Sequence, residues 1–352
     1  MVLRYYPTKD ATIYEKYPVR NTGLDAILEI SKVSLNGDNY NSRILIDFDY
    51  PTIAADVTSM GYNITSCSFG LKLYVAEANE IPVDMGLGRF SNIPETTTGV
   101  SWRYQQTDDN LNTAWKTGSY NPTVTGSWIM EKGGGTWYTS SVATESFSYT
   151  TADIDIDISP IIRKIQSGSL NFQGLIIKKS DTDESSVDIF KSLKFFSKDT
   201  HTIYLPTIEV KYDDSVNSAS LPLIDTEEDV QIIPINLKGE YSEQSTPKIR
   251  VASRYQYPVD TWSTQSSYLT RYRLPSGSQY AVYNANSDDA IIGFSNYTKI
   301  SDDSTSNYFK LHLDSLQPER YYRLKIRVPN SGSTSTYQVY DEKWIFKVTR
   351  NQ

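Results

Sequence analysis

Three carboxylates at alternate positions, Asp153, Asp155 and Asp157, are the first residues whose spacing suggests chemistry. On a strand they share one face, roughly 6.5–7 Å apart, because two residues of rise separate them. Calcium takes about six to eight oxygens from a small region, and a straight strand rarely wraps a cation. A solvated face opposite Ile154, Ile156 and Ile158 is the plainer reading. The second group is aromatic: Trp102, Tyr104, Trp115, Trp128, Trp137 and Tyr138 concentrate within residues 82–148. Such rings stack on the apolar faces of pyranose sugars while flanking Asp, Asn and Gln hold the hydroxyls. A sandwich core or a rigid contact with another protein is the plainer reading and ranks ahead of the sugar platform.

Nucleophilic chemistry has little to build on. The two histidines, His201 and His312, fall in different halves of the chain, so no Ser-His-Asp set is indicated. Cys67 is the only cysteine, which rules out an intrachain disulfide, and its place at the start of a strand marks it as a buried structural thiol. With one cysteine and two histidines no zinc site is expected either. The carboxylate pairs Asp108-Asp109, Asp288-Asp289 and Asp302-Asp303 sit among Ser, Thr and Asn and read as turns. No catalytic residue, metal or cofactor is therefore expected.

The elements that must position these residues are strands. The 352 residues suffice for two or three domains, and 27 Tyr with abundant Ser and Thr favour pleated, half-exposed surfaces. The 34 Lys and Arg against 42 Asp and Glu give a net charge of −8, which argues against a nucleic-acid backbone as the main partner. The opening MVLRYYPTKDATIY has no apolar run of the kind that directs secretion, and no segment approaches a membrane span. The expectation is synthesis in a cytoplasm, with a mature secreted fragment as the other possibility.

Alternation places strands over residues 11–15, 26–33, 42–49 and 68–75, with Ile44, Ile46 and Phe48, then Leu71, Leu73 and Val75, pointing inward. Between 82 and 148 the pattern blurs into an elaborated face or several short strands around Gly133-Gly134-Gly135. Strict alternation returns at 152–158. Ser159 and Pro160 then open the one expected helix as N-cap and first helical residue, Ile161, Ile162 and Ile165 form its apolar face, and Gly168 ends it. Residues 172–179 and 193–196 lead to the closing strand, where Ile208, Val210 and Tyr212 face in and Glu209 and Lys211 face out. Further strands are expected at 230–237, 247–255, 308–313, 321–328 and 337–348.

Five segments in order carry a resemblance: DATIYEKYPVRNTGLDAILEIS, SRILIDFDY, ITSCSFGLKLYV, DIDIDISPIIRKIQSGSLNFQGLIIKKS and FFSKDTHTIYLPTIEVKY. Together they resemble the DNRLRE-type domain, a jelly-roll β-sandwich related to some carbohydrate-binding modules, over residues 1–214. The chain departs from that pattern in its Trp-rich middle and in Lys198, where the family shows Arg. After a linker at 215–229, residues 230–352 contain LQPERYYRLKIRV. Its Leu316, Pro318 and Tyr322 resemble the strand corner of a fibronectin III or immunoglobulin-like sandwich, in which a Tyr hydroxyl bonds the preceding connection.

The resemblance implies an all-β protein of two sandwiches. A module built like an extracellular binder yet lacking an export signal resembles structural proteins of tailed-bacteriophage particles, which are assembled inside the host and work outside it. The expectation is a non-enzymatic virion component of the neck, tail or fibre apparatus, whose partners are other virion proteins and its own copies. Nucleic acid and membrane insertion are not expected. The alternative is a carbohydrate-binding or adhesion module for host or extracellular glycans. The aromatic set is the candidate contact surface in the first reading and the sugar platform in the second.

Overall fold

The computed structural model describes residues 1–35, 37–77, 99–108, 111–115, 133–135, 137–138, 142–145, 153–258, 270–330 and 336–350. It is mostly β, with several antiparallel sheets and a few short helices. The chain divides into two compact units. One is Tyr5–Glu209; the other joins Met1–Arg4 to Val210–Gln352.

The strands up to the division are β1 (Val2–Tyr5), β2 (Lys9–Tyr14), β3 (Ile27–Leu35), β4 (Asp38–Asp47), β5 (Ser68–Leu73), β6 (Val75–Glu77), β7 (Tyr104–Asp108), β8 (Leu111–Ala114), β9 (Ile154–Asp157), β10 (Leu175–Ile177), β11 (Phe190–Phe196) and β12 (Thr207–Lys211). The division falls inside β12. One sheet of the first unit contains the order β12-β5-β9, and the other runs β10-β4-β3-β11-β6. The arrangement is sandwich-like, and its core includes Ile13, Leu28, Ile44, Ile46, Phe48, Leu71, Leu73, Phe195 and Ile208, all buried. The alternating positions of β4 and β5 thus supply the core they were expected to supply, except that Val75 is only half-buried.

β4 has two partners along one edge. Lys32 to Leu35 of β3 pair with its first half, and β2 takes over from Ser42, opposite Tyr14, to Asp47, opposite Lys9. The handover leaves main-chain groups without a strand partner, and hydroxyls fill in. Ser42 Oγ accepts from Ser31 N at 2.7 Å and donates to Glu29 O at 2.9 Å. Thr12 Oγ1 accepts from Glu29 N at 2.9 Å.

Among the described residues three helices occur where one was expected: α1 (Tyr50–Ser59), α2 (Ser159–Gln166) and α3 (Asp181–Ser185). α1 opens on Asp49, whose carboxylate accepts from Thr52 N, with Pro51 in the first turn. That pair was a legible start signal. In α2 the helix begins at Ser159 itself, so Ser159 is not the cap. Its hydroxyl accepts from Phe69 N at 2.8 Å instead, which fixes α2 to β5. Glu209, expected in water, is buried 3.3 Å from Lys72 Nζ.

The second unit holds β13 (Val230–Pro234), β14 (Glu240–Ser242), β15 (Lys248–Tyr255), β16 (Gln279–Asn284), β17 (Ala290–Ile292), β18 (Ser301–Asp302), β19 (Asn307–Lys310), β20 (Arg320–Pro329) and β21 (Tyr337–Thr349). They form two sheets, β13-β15-β19-β18 and β14-β21-β20-β16-β17. Tyr322, Leu324, Ile326 and Val328 alternate into the core, and Tyr322 Oη donates to Gln317 O at 2.8 Å, the corner that the sequence indicated. Asp302 departs from its expected place in a turn. It is a buried strand residue whose carboxylate accepts from the backbone N–H groups of Ser218 and Ala219.

Candidate functional site

The aromatic residues gather around Arg43. β4 turns Ile44 and Ile46 into the core, so Arg43 points to the opposite face, yet it is buried. Its guanidinium carbon lies 4.8 Å from the Trp102 ring centroid and 4.9 Å from that of Trp137. Nε and Nη2 donate to the two oxygens of Glu184 at 2.9 and 2.7 Å, a bidentate pair, and Nη1 donates to Gly134 O. Lys178 Nζ sits 4.8 Å over the Trp137 ring and 3.5 Å from Glu184, and also pairs with Asp181.

Glycine is required where residues 133–135 cross Trp102. Gly134 donates its N–H to Trp102 O at 2.6 Å and has φ +95°. A Cβ there would stand 2.7 Å from the indole of Trp102, and one on Gly133 would stand 2.0 Å from Trp102 O. Only bare backbone lies this close to the ring.

Glu184 is placed by α3, a five-residue helix stabilised at both ends. Ser180 Oγ accepts from Asp183 N at 3.1 Å, and Asp181, Asp183 and Glu184 lie in the first turn, where the helix dipole favours anions. At the other end the buried Lys32 donates to Asp183 O and Ser186 O. Burial, with Lys32 nearby, pulls the Lys179 ammonium down to about 8.

Trp115 Nε1 donates to Ser101 O at 2.8 Å, next to Trp102, and Ser101 Oγ accepts from Tyr104 N. Tyr104 and Ala114 pair in the β7–β8 hairpin. Trp115, Trp137 and the exposed Tyr138 border a cavity of about 2080 Å³ that reaches in to the core residues Ile46 and Leu71. Of the six aromatic candidates, Trp102 and Trp137 therefore share one cation, Tyr104 and Trp115 brace the segment before it, and Tyr138 faces outward. Trp128 lies outside the described residues. Arg43, Lys178 and Glu184 were not legible as site residues, because nothing local marks a strand arginine as one that two distant tryptophans will cover. The S-x-x-D run Ser180–Asp183 was the one available signal for α3.

The remaining candidates are dispersed. Asp155 is opposite Lys72 and 3.5 Å from its Nζ, Asp153 accepts from Val75 N, and Asp157 accepts from Ser159 N. Among the described residues no group of three acidic, His or Cys side chains converges as a cation site. His201 and His312 lie in different units, and burial lowers the His312 pKa. Cys67 is buried, and burial raises its thiol pKa. No described helix is long and apolar enough to cross a membrane.

Neither a family model, a curated protein nor a solved structure matches this chain.

Proposed function

We propose that the chain is a non-enzymatic structural component of a tailed-bacteriophage virion, in the neck, tail or fibre apparatus, acting through protein–protein contacts. In this reading the first unit is a DNRLRE-like jelly roll and the second an immunoglobulin or fibronectin III-like sandwich. The Tyr322 corner supports the second assignment. The sequence resemblance supports the first, and with it the virion setting.

The observation that carries the contact reading over the sugar reading is the Trp102–Arg43–Trp137 cluster. A sugar platform needs an open aromatic face. Here the Trp102 ring is buried against Arg43 and Gly134, and Trp137 has two cations within 5 Å of its ring. These tryptophans are spent on holding surface segments rigidly to a sheet, which suits a part that transmits load or fixes a neighbour. Partners in this reading are other virion proteins and copies of the chain itself.

The test is mass spectrometry of purified particles, counting copies of this chain per portal. A fixed stoichiometry with ring-like multiplicity is expected. Absence from particles, together with glycan binding that disappears on Trp115→Ala or Tyr138→Ala, overturns the proposal in favour of the adhesion module.

A further inference from the structure

Three successive outward positions of β20 carry cations. Arg323, Lys325 and Arg327 point away from the core that Tyr322, Leu324, Ile326 and Val328 fill. Arg323 and Lys325 are neutralised. Asp288 pairs with both, and Asp341 lies 3.4 and 3.3 Å from them. Asp341 reaches them from a bulge in which three residues of β21, Asp341 to Lys343, oppose Lys325 alone, with Lys343 at φ +58°.

Arg327 is different. Its guanidinium lies 4.8 Å from the Phe294 ring centroid and 4.4 Å from that of Tyr337, and Nε donates to Gln279 at 2.7 Å. Among the described residues no carboxylate pairs with it. It is a planar, preoriented cation awaiting an acidic acceptor. The same face carries side chains that a solvated sheet does not need: Val339, directly opposite Arg327, is 53% exposed, and further along the strand Ile345, opposite Arg323, is 46% exposed and Tyr321 51%. Arginine and tyrosine around exposed aliphatics is the composition of a protein interface.

The charge of the chain itself indicates the occupant. Residues 5–209 hold 25 Asp and Glu against 17 Lys and Arg, whereas the second unit holds 17 of each. The whole net charge of −8 thus belongs to the first unit. We infer that the β20–β21 face, centred on Arg327, docks on the acidic first unit of a second copy of this chain. Such a contact joins two different surfaces and is heterologous, so it builds rings or filaments. The inference rests on the assembly reading only in taking a second copy as the partner.

Sedimentation velocity on the full chain tests it, at about 0.05 M and about 0.5 M salt. Self-association at low salt that weakens at high salt is expected. Arg327→Glu and, separately, Val339→Asp should each weaken it about tenfold or more, the latter with the melting temperature unchanged. Val339 is exposed, so that variant reads the contact even where loss of the aromatic sandwich disturbs folding of the other. A chain that stays monomeric at low salt overturns the inference, as does an oligomer indifferent to both substitutions. So does a monomer that binds a single-stranded oligonucleotide through Arg327. Particles that contain a chain monomeric in solution would sink this inference and leave the proposed function standing. Salt-sensitive association of a chain absent from particles would do the reverse.

Discussion

Asp10 is a buried carboxylate with one oxygen satisfied. Oδ2 accepts from Lys198 N at 2.6 Å, while Oδ1 is buried with no hydrogen-bond partner among the described residues. Burial raises its pKa to about 6, against the opposing pull of the Lys198 N–H and ammonium. Because the folded value lies above the ordinary one, the group's contribution to stability is full below about 4 and is lost as pH rises through 6. Asp10→Asn should therefore stabilise the first unit at pH 7.5 by about 1–2 kcal/mol and leave it nearly unchanged at pH 4. Denaturant titrations at both pH values check this; equal shifts at the two would refute it. Arg43 offers the opposite case, a buried charge with every partner in place. Arg43→Lys keeps the charge but loses the planar fork and the stacking, and should cost about 2–3 kcal/mol. Trp fluorescence of the variant should show the change, since both neighbouring rings are indoles.

Among the elements, short pieces are secured by single hydrogen bonds from side chains. The β20 corner depends on Tyr322 Oη, which donates to Gln317 O. Tyr322→Phe should destabilise the second unit by about 1 kcal/mol or more, with the melting of the first unit unmoved, and a two-transition thermal scan reads both. Similarly, residues 216–219 follow no strand but are tied to β18. Val216 N donates to Ser301 Oγ, and Asp302 accepts from Ser218 and Ala219. Asp302→Ala should release this exposed segment, and limited proteolysis should then cut there first and several-fold faster. An unchanged cutting rate would show that Asp302 does not hold it.

For the molecule as a whole, the charge distribution and the two units matter more than any single contact. One acidic unit and one neutral unit in the same chain give each copy two unlike surfaces, the condition for a heterologous contact. In the virion reading, Tyr138→Ala, at the exposed ring of the aromatic set, should lower the copy number in particles while circular dichroism of the free protein stays as before. Particle mass spectrometry reads that directly.

Strand identity was legible because it is a local property with period two. Ile44, Ile46 and Phe48, and Ile208, Val210 and Tyr212, are buried as their alternation indicates. The Tyr322 corner was legible for the same reason, since donor and acceptor sit five residues apart. What sequence could not fix was the fate of polar side chains whose partners are distant in the chain. Glu209 alternates like a solvent-facing residue but is buried beside Lys72, and Ser159 looks like a cap but serves Phe69 N. The candidate site follows the same rule: its tryptophans were visible by type, whereas Arg43, Gly134 and Glu184 come together only through folding. A charge or hydroxyl can be buried wherever enough partners surround it, and only the tertiary structure decides where that is.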